Sequence, residues 1–150
     1  MQSIEHDVEI LNDLIQVTLD SARGYEEAAS DAKNPGFKAV FGRHAMRRKE
    51  LSGHLQSEVS RLLGSRPASR GTAAGAVHRT FMNLKNALTG SDTTLVESVE
   101  AAEDYLKDRY EQALKDAEVS LPIHALISNS FTEVKIGHDE MRDLKHSLKN

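Results

Sequence analysis

The sequence predicts an all-α protein built from four long helices. Three observations predict it. Apolar residues recur every three or four positions over four long stretches, the spacing that gathers them on one face of a helix. No stretch of useful length alternates apolar and polar residues as a half-buried strand would. The three prolines fall outside the periodic stretches or at their first turn, where the missing N–H costs nothing. The stretches are about 4–33, 36–63, 93–118 and 122–148, with a shorter one at about 73–89.

The first helix carries Ile4, Val8, Leu11, Ile15, Thr18, Ala22, Tyr25, Ala29 and Ala32 in alternating steps of four and three. That is a narrow seam of the kind that packs helices nearly parallel. Thr18 is its weak step, and its hydroxyl is expected to bond back to the Leu14 carbonyl. Asn34-Pro35 then starts the second helix, Asn as cap and Pro in the first turn. Its stripe is Phe37, Phe41, His44, Arg48, Leu51, Leu55, Val59 and Leu62. A Gly/Ser/Ala-rich segment with Pro67 follows, then the short stripe Val77, Phe81, Leu84 and Leu88, stopped at Gly90. Ser91 to Thr94 open the third helix, with Thr94 and Glu97 as a candidate capping box. The third stripe is Val96, Val99, Glu103, Leu106, Tyr110, Ala113 and Ala117. The fourth, with Pro122 in its first turn, is Ile127, Phe131, Val134, His138, Met141, Leu144 and Leu148.

The connections select a topology. Helices one and two are joined by a tight Asn-Pro-Gly turn, and three and four by a short one around Ser120 to Pro122, so each pair is expected to be antiparallel. Nearly thirty residues separate the second helix from the third. A helix of that size is about 40 Å long at 1.5 Å per residue, and a simple hairpin needs no such connection. A crossover running back along the bundle does. The expected architecture is a ferritin-like four-helix bundle, up-down-down-up, with a short helix in the crossover.

Composition bounds the class. The 150 residues fit a single domain, 1–150, with a real core. Nineteen basic and 23 acidic side chains leave a formal charge of −4, and no basic tail is present, which argues against nucleic acid as a partner and against a DNA-protecting ferritin relative. The absence of cysteine excludes disulfides, zinc–cysteine and iron–sulfur sites and thiol catalysis. No apolar run approaches the roughly 20 residues that span a bilayer. The acidic beginning MQSIEHDVEI is unlike an export signal, so a cytoplasmic protein with no membrane partner is expected. No Ser-His-Asp order, phosphate-binding glycine loop or catalytic carboxylate pair is present.

Function is sought where polar residues interrupt the stripes: Tyr25, His44, Glu103 and His138, with Arg48 as a long side chain that can snorkel outward. In an up-down-down-up bundle these four lie within about one helical turn of the same height, one per helix. One reading is a metal site of Glu103, His138 and His44, with Tyr25 or Glu26 nearby, taking iron, manganese or zinc. The obstacle is ligand count. Di-iron bundles use Glu-x-x-His on two helices, and no helix here carries it. The other reading, which we prefer, is a hydrogen-bonded polar layer in which His, Arg or Tyr neutralises Glu103. A layer without function makes Glu103→Leu neutral or stabilising. Weaker candidates read as surface: Glu50, His54 and Glu58 as a solvated ion-pair face, Arg43, Arg47, Arg48 and Lys49 as a basic face, and His6, His124 and His146 as exposed helix ends. His78-Arg79 is expected to hold the crossover against the bundle.

Several words of the sequence carry a resemblance: Leu11 to Ile15, Gly24 to Ala29, Pro35 to Phe41, Gly75 to Arg79, Leu84 to Gly90, Glu103-Asp104 with Tyr110 to Leu114, and Glu133 to Lys135 with His138-Asp139. Over nearly the whole chain it resembles a family of bacterial ferritin-like four-helix bundles catalogued as a domain of unknown function. The resemblance implies the ferritin-like fold and no particular activity. Rubrerythrins and bacterioferritins, more distant relatives, use a di-iron centre whose ligand motif does not carry over to this sequence. The expectation is a non-enzymatic, stress-related or interaction protein that self-associates, most simply as a dimer. Its alternative is a metal-binding or redox bundle.

Overall fold

A computed structural model describes residues 4–64 and 91–147. These residues form four helices and no strand: α1 (Ile4–Asp31), α2 (Pro35–Leu63), α3 (Asp92–Leu114) and α4 (Leu121–Ser147). The expected short helix at 73–89, its Gly90 stop, His78-Arg79 and Leu148 lie outside the described residues.

The helix ends follow local chemistry. Asn34 caps α2, its side-chain oxygen accepting from the Gly36 N–H at 2.7 Å, with Pro35 at the first position. Gly64 closes α2 in the left-handed region at φ 70°, where its N–H reaches the Ser60 carbonyl. The cap of α3 is Ser91, which accepts from the Thr94 N–H, and Thr94 instead donates its hydroxyl to the Ser91 carbonyl. The expected Thr94–Glu97 box is therefore displaced by one turn. α3 also stops at Leu114, short of the expected 118, so Ala117 is exposed and Val119 takes the buried place beyond the helix end. His124 bonds the Leu114 carbonyl at 3.1 Å, satisfying one acceptor left open at that end.

Packing joins α1 to α2, α3 to α4, and α1 to α3. Both ends of α1 are fastened to α3 and its flanks. The backbone N–H groups of Lys33 and Asn34 donate to the Asp92 carboxylate at 2.9 and 2.8 Å. At the other end His6 Nε2 meets Asp116 Oδ2 at 2.8 Å, and the Ser120 N–H donates to the buried Asp7 at 3.0 Å. His6 and His124 are thus bonded and only partly exposed, where the sequence suggests free helix ends.

The stripes on α2 and α3 are buried as spaced, from Phe41 to Val59 and from Val96 to Ala113. On α1 the buried face is broader than a seam, because α1 meets two neighbours: Leu14, Val17 and Ala28 join Leu11, Ile15 and Tyr25 in the core. Each large apolar side chain so buried contributes about 1.5–3 kcal/mol. Thr18 does not bond back to Leu14; its hydroxyl lies 2.7 Å from the Tyr110 hydroxyl of α3. On α4 the buried stripe runs Ile123, Ile127, Ser130, Val134, Gly137 and Met141. It passes through Gly137, not His138, and that one-step difference decides what the core layer contains.

Candidate functional site: a buried charged layer

Three of the four interrupting residues meet in one place, together with Arg48. Tyr25 of α1, His44 and Arg48 of α2, and Glu103 of α3 are all buried, with Glu103 only 1% exposed and Arg48 3%. The positions are helical consequences of sequence. His44 and Arg48 are one turn apart on the same α2 face, and Tyr25 and Glu103 sit on the stripes that α1 and α3 turn toward each other.

Glu103 is fully committed. Arg48 Nη2 bridges both of its oxygens at 2.9 Å each, and the Tyr25 hydroxyl donates a hydrogen bond to Oε2. The Tyr25 ring stacks on His44, centroids 5.1 Å apart at 20°, and Arg48 Cζ lies 5.9 Å from the ring centroid. This is not the two-nitrogen fork of an Arg–carboxylate pair. Arg48 Nη1 is buried without a hydrogen-bond partner among the described residues. A small cavity lined by His44, Arg48, Glu133 and Gly137 adjoins the layer. Gly137 is what admits the guanidinium, since a Cβ there would collide with Arg48 Nη2.

The charges follow from burial and neighbours. Burial by itself lowers the Arg48 guanidinium, but the Glu103 charge and hydrogen bond outweigh it, so Arg48 is held above its ordinary value and stays cationic. Burial, then the Glu103 charge, pushes the Tyr25 phenol well above its usual range. Burial likewise pushes Tyr110 up to about 12. His44 is driven down to about 4, first by burial and then by Arg48, Arg43 and Arg47. A neutral His44 makes its 3.0 Å approach to Glu140 Oε1 a contact and not an ion pair at neutral pH. The layer therefore holds one buried ion pair, one phenol locked as a donor, and one neutral imidazole.

The remaining candidate residues lie elsewhere. His138 is absent from the layer; it is 12% exposed on the outer side of α4, with Nε2 at 2.5 Å from Asp104 Oδ1. Glu26 is on the surface, paired with Lys49. Glu58 pairs with Arg61, and Glu50 and His54 are exposed, in keeping with a solvated face. Arg43, Arg47 and Lys49 are exposed while Arg48 turns inward. Sequence reasoning missed Gly137, Asp104 and the buried Asp7 and Asp20. Asp7 had a signal, as a first-turn acid on α1, but not the partner at Ser120.

A family model described as "Domain of unknown function (DUF2383)" matches residues 7–116, which spans α1, α2 and α3 and every member of the charged layer. No curated protein matches the chain.

Proposed function

The chain belongs to the DUF2383 family, and we propose that it is a single-domain, ferritin-like bundle without an enzyme site, acting as a cytoplasmic stress-related or interaction protein. The observation that carries this reading is the saturation of Glu103. Both oxygens of Glu103 accept from Arg48, and Oε2 also from Tyr25, so its charge is neutralised inside a layer where it is 1% exposed. The donors around it are a cation and a phenol, which does not fit a di-iron centre needing several carboxylates. A buried ion pair of this kind is a packing element that well-fitted apolar side chains can replace as a unit, while loss of one partner alone is costly. The up-down-down-up order is supported by the pairs Lys33–Asp92, Tyr25–Glu103 and His6–Asp116, which descend α3 as they ascend toward the start of α1. Among the described residues no helix is long and apolar enough to cross a membrane. Self-association is part of this proposal, and Met46 on α2, Ile136 on α4 and Leu121 at the start of α4 are apolar side chains exposed for it to use.

The test replaces the layer as a unit. Tyr25→Phe, Arg48→Met and Glu103→Leu together are expected to leave the helical fold, oligomeric state and metal uptake unchanged, with stability equal or higher. Circular dichroism, sedimentation and elemental analysis read the three. Loss of a stoichiometric metal in that variant would refute the structural role. No gel shift with duplex DNA is expected at physiological salt.

A further inference from the structure

We propose that Glu100, Asp104 and His138 form a binding site for a divalent transition-metal ion on the outer side of the α3–α4 pair. The site is separate from the buried layer. Glu100 and Asp104 are one turn apart on α3, so their carboxylates project from one face. His138 comes from α4, and one ligand atom of each of the three lies within 4.8 Å of the other two. Ligands held at about 2.0–2.2 Å from one ion lie up to about 4.4 Å apart, so an ion would enter by opening the 2.5 Å His138–Asp104 hydrogen bond and drawing the three ligand atoms around itself.

Three further features point to a cation. The His138 ring is oriented from behind: its Nδ1 lies 3.4 Å from Asp139 Oδ1, which directs Nε2 toward Asp104. A carboxylate behind the imidazole is the arrangement that fixes the tautomer and raises basicity in metal-binding histidines. Asp139 is itself held by Arg142 at 3.4 Å. Next, a positive group already sits at the site: Lys145 Nζ is 3.1 Å from Glu100 Oε1. Its ammonium is held above the ordinary lysine value by that hydrogen bond and the Glu100 charge, with smaller contributions from Glu97 and Asp104. Last, burial is graded. His138 is 12% exposed and Asp104 61%, which leaves an open side where water completes the coordination. One imidazole and two carboxylates suit zinc, iron(II) or manganese, and the imidazole disfavours calcium and magnesium.

Isothermal titration of the metal-stripped full chain with zinc and then manganese tests the site. One zinc per chain is expected, bound more tightly than manganese and not displaced by excess calcium. His138→Ala and Asp104→Asn should each weaken zinc at least about tenfold, and Asp139→Asn by about 10-fold or more through misorientation of the ring. Lys145→Met removes the competing ammonium and should tighten binding severalfold, an effect that general loss of structure cannot produce. Circular dichroism verifies that each variant keeps its fold. The proposal fails if the wild type takes up no zinc up to about 1 mM. It also fails if His138→Ala binds as the wild type does, or if Lys145→Met binds more weakly. None of these outcomes bears on the role proposed for Glu103, whose test uses different side chains.

Discussion

Arg48 and Glu103 neutralise each other inside the core, and the cost of separating them sets the behaviour of the site. From sequence alone, Glu103→Leu reads as neutral or stabilising. The structure reverses the sign, because losing the carboxylate would leave the Arg48 guanidinium 3% exposed and without its counter-charge. Breaking a buried pair from one side costs about 3–5 kcal/mol, so Glu103→Leu should lower the urea midpoint strongly while the triple replacement restores it. His44 carries a second prediction. Its pKa is about 4 in the fold and about 6.5 in the unfolded chain, so the unfolded state takes up the proton first. Stability is complete above pH 6.5 and is lost as pH falls toward 4, by up to about 3 kcal/mol from this residue. His44→Gln should flatten that part of the profile when denaturant midpoints are compared from about pH 7 to about pH 4. An unchanged slope would show that His44 protonates freely.

At the scale of the helix, α4 shows where periodicity stops being informative. From Val134 a step of three reaches Gly137 and a step of four reaches His138, and both lead on to Met141. An apolar count prefers neither, since glycine has no side chain to mark a core position. Arg48 decides, because its guanidinium occupies the volume a Cβ at 137 would need. Gly→Ala inside a helix ordinarily stabilises by about 1 kcal/mol. Gly42→Ala and Gly53→Ala, whose new Cβ would meet nothing within 4 Å, should follow that rule. Gly137→Ala should destabilise instead, by displacing Arg48 from Glu103. Thermal melts of the three variants check the contrast. The α3 boundary makes the same point: Ser91, not Thr94, is the cap because its oxygen meets the Thr94 N–H, and both residue types are good caps on paper.

For the whole molecule, hydrogen bonds at both ends of α1 tie the two turns to neighbouring helices. Asp92 holds the α1–α2 turn, while Asp7 holds the α3–α4 turn. The proposed self-association is read by sedimentation, where a dimer or larger species is expected. A clean monomer at micromolar concentration would overturn that expectation. The sequence by itself determined the four long helices among the described residues, the turns that join them in pairs and most of the buried stripes, because 3.6-residue periodicity and capping are local properties. It also singled out Tyr25, His44, Arg48 and Glu103 as polar residues on apolar faces. Only the tertiary structure decided which of them meet. The pairing of Arg48 with Glu103 joins residues on α2 and α3, the removal of His138 from the layer depends on a missing side chain at 137, and its approach to Asp104 depends on how α4 rotates against α3. Those are relations between helices, and spacing along one chain contains no measure of rotation about a neighbour.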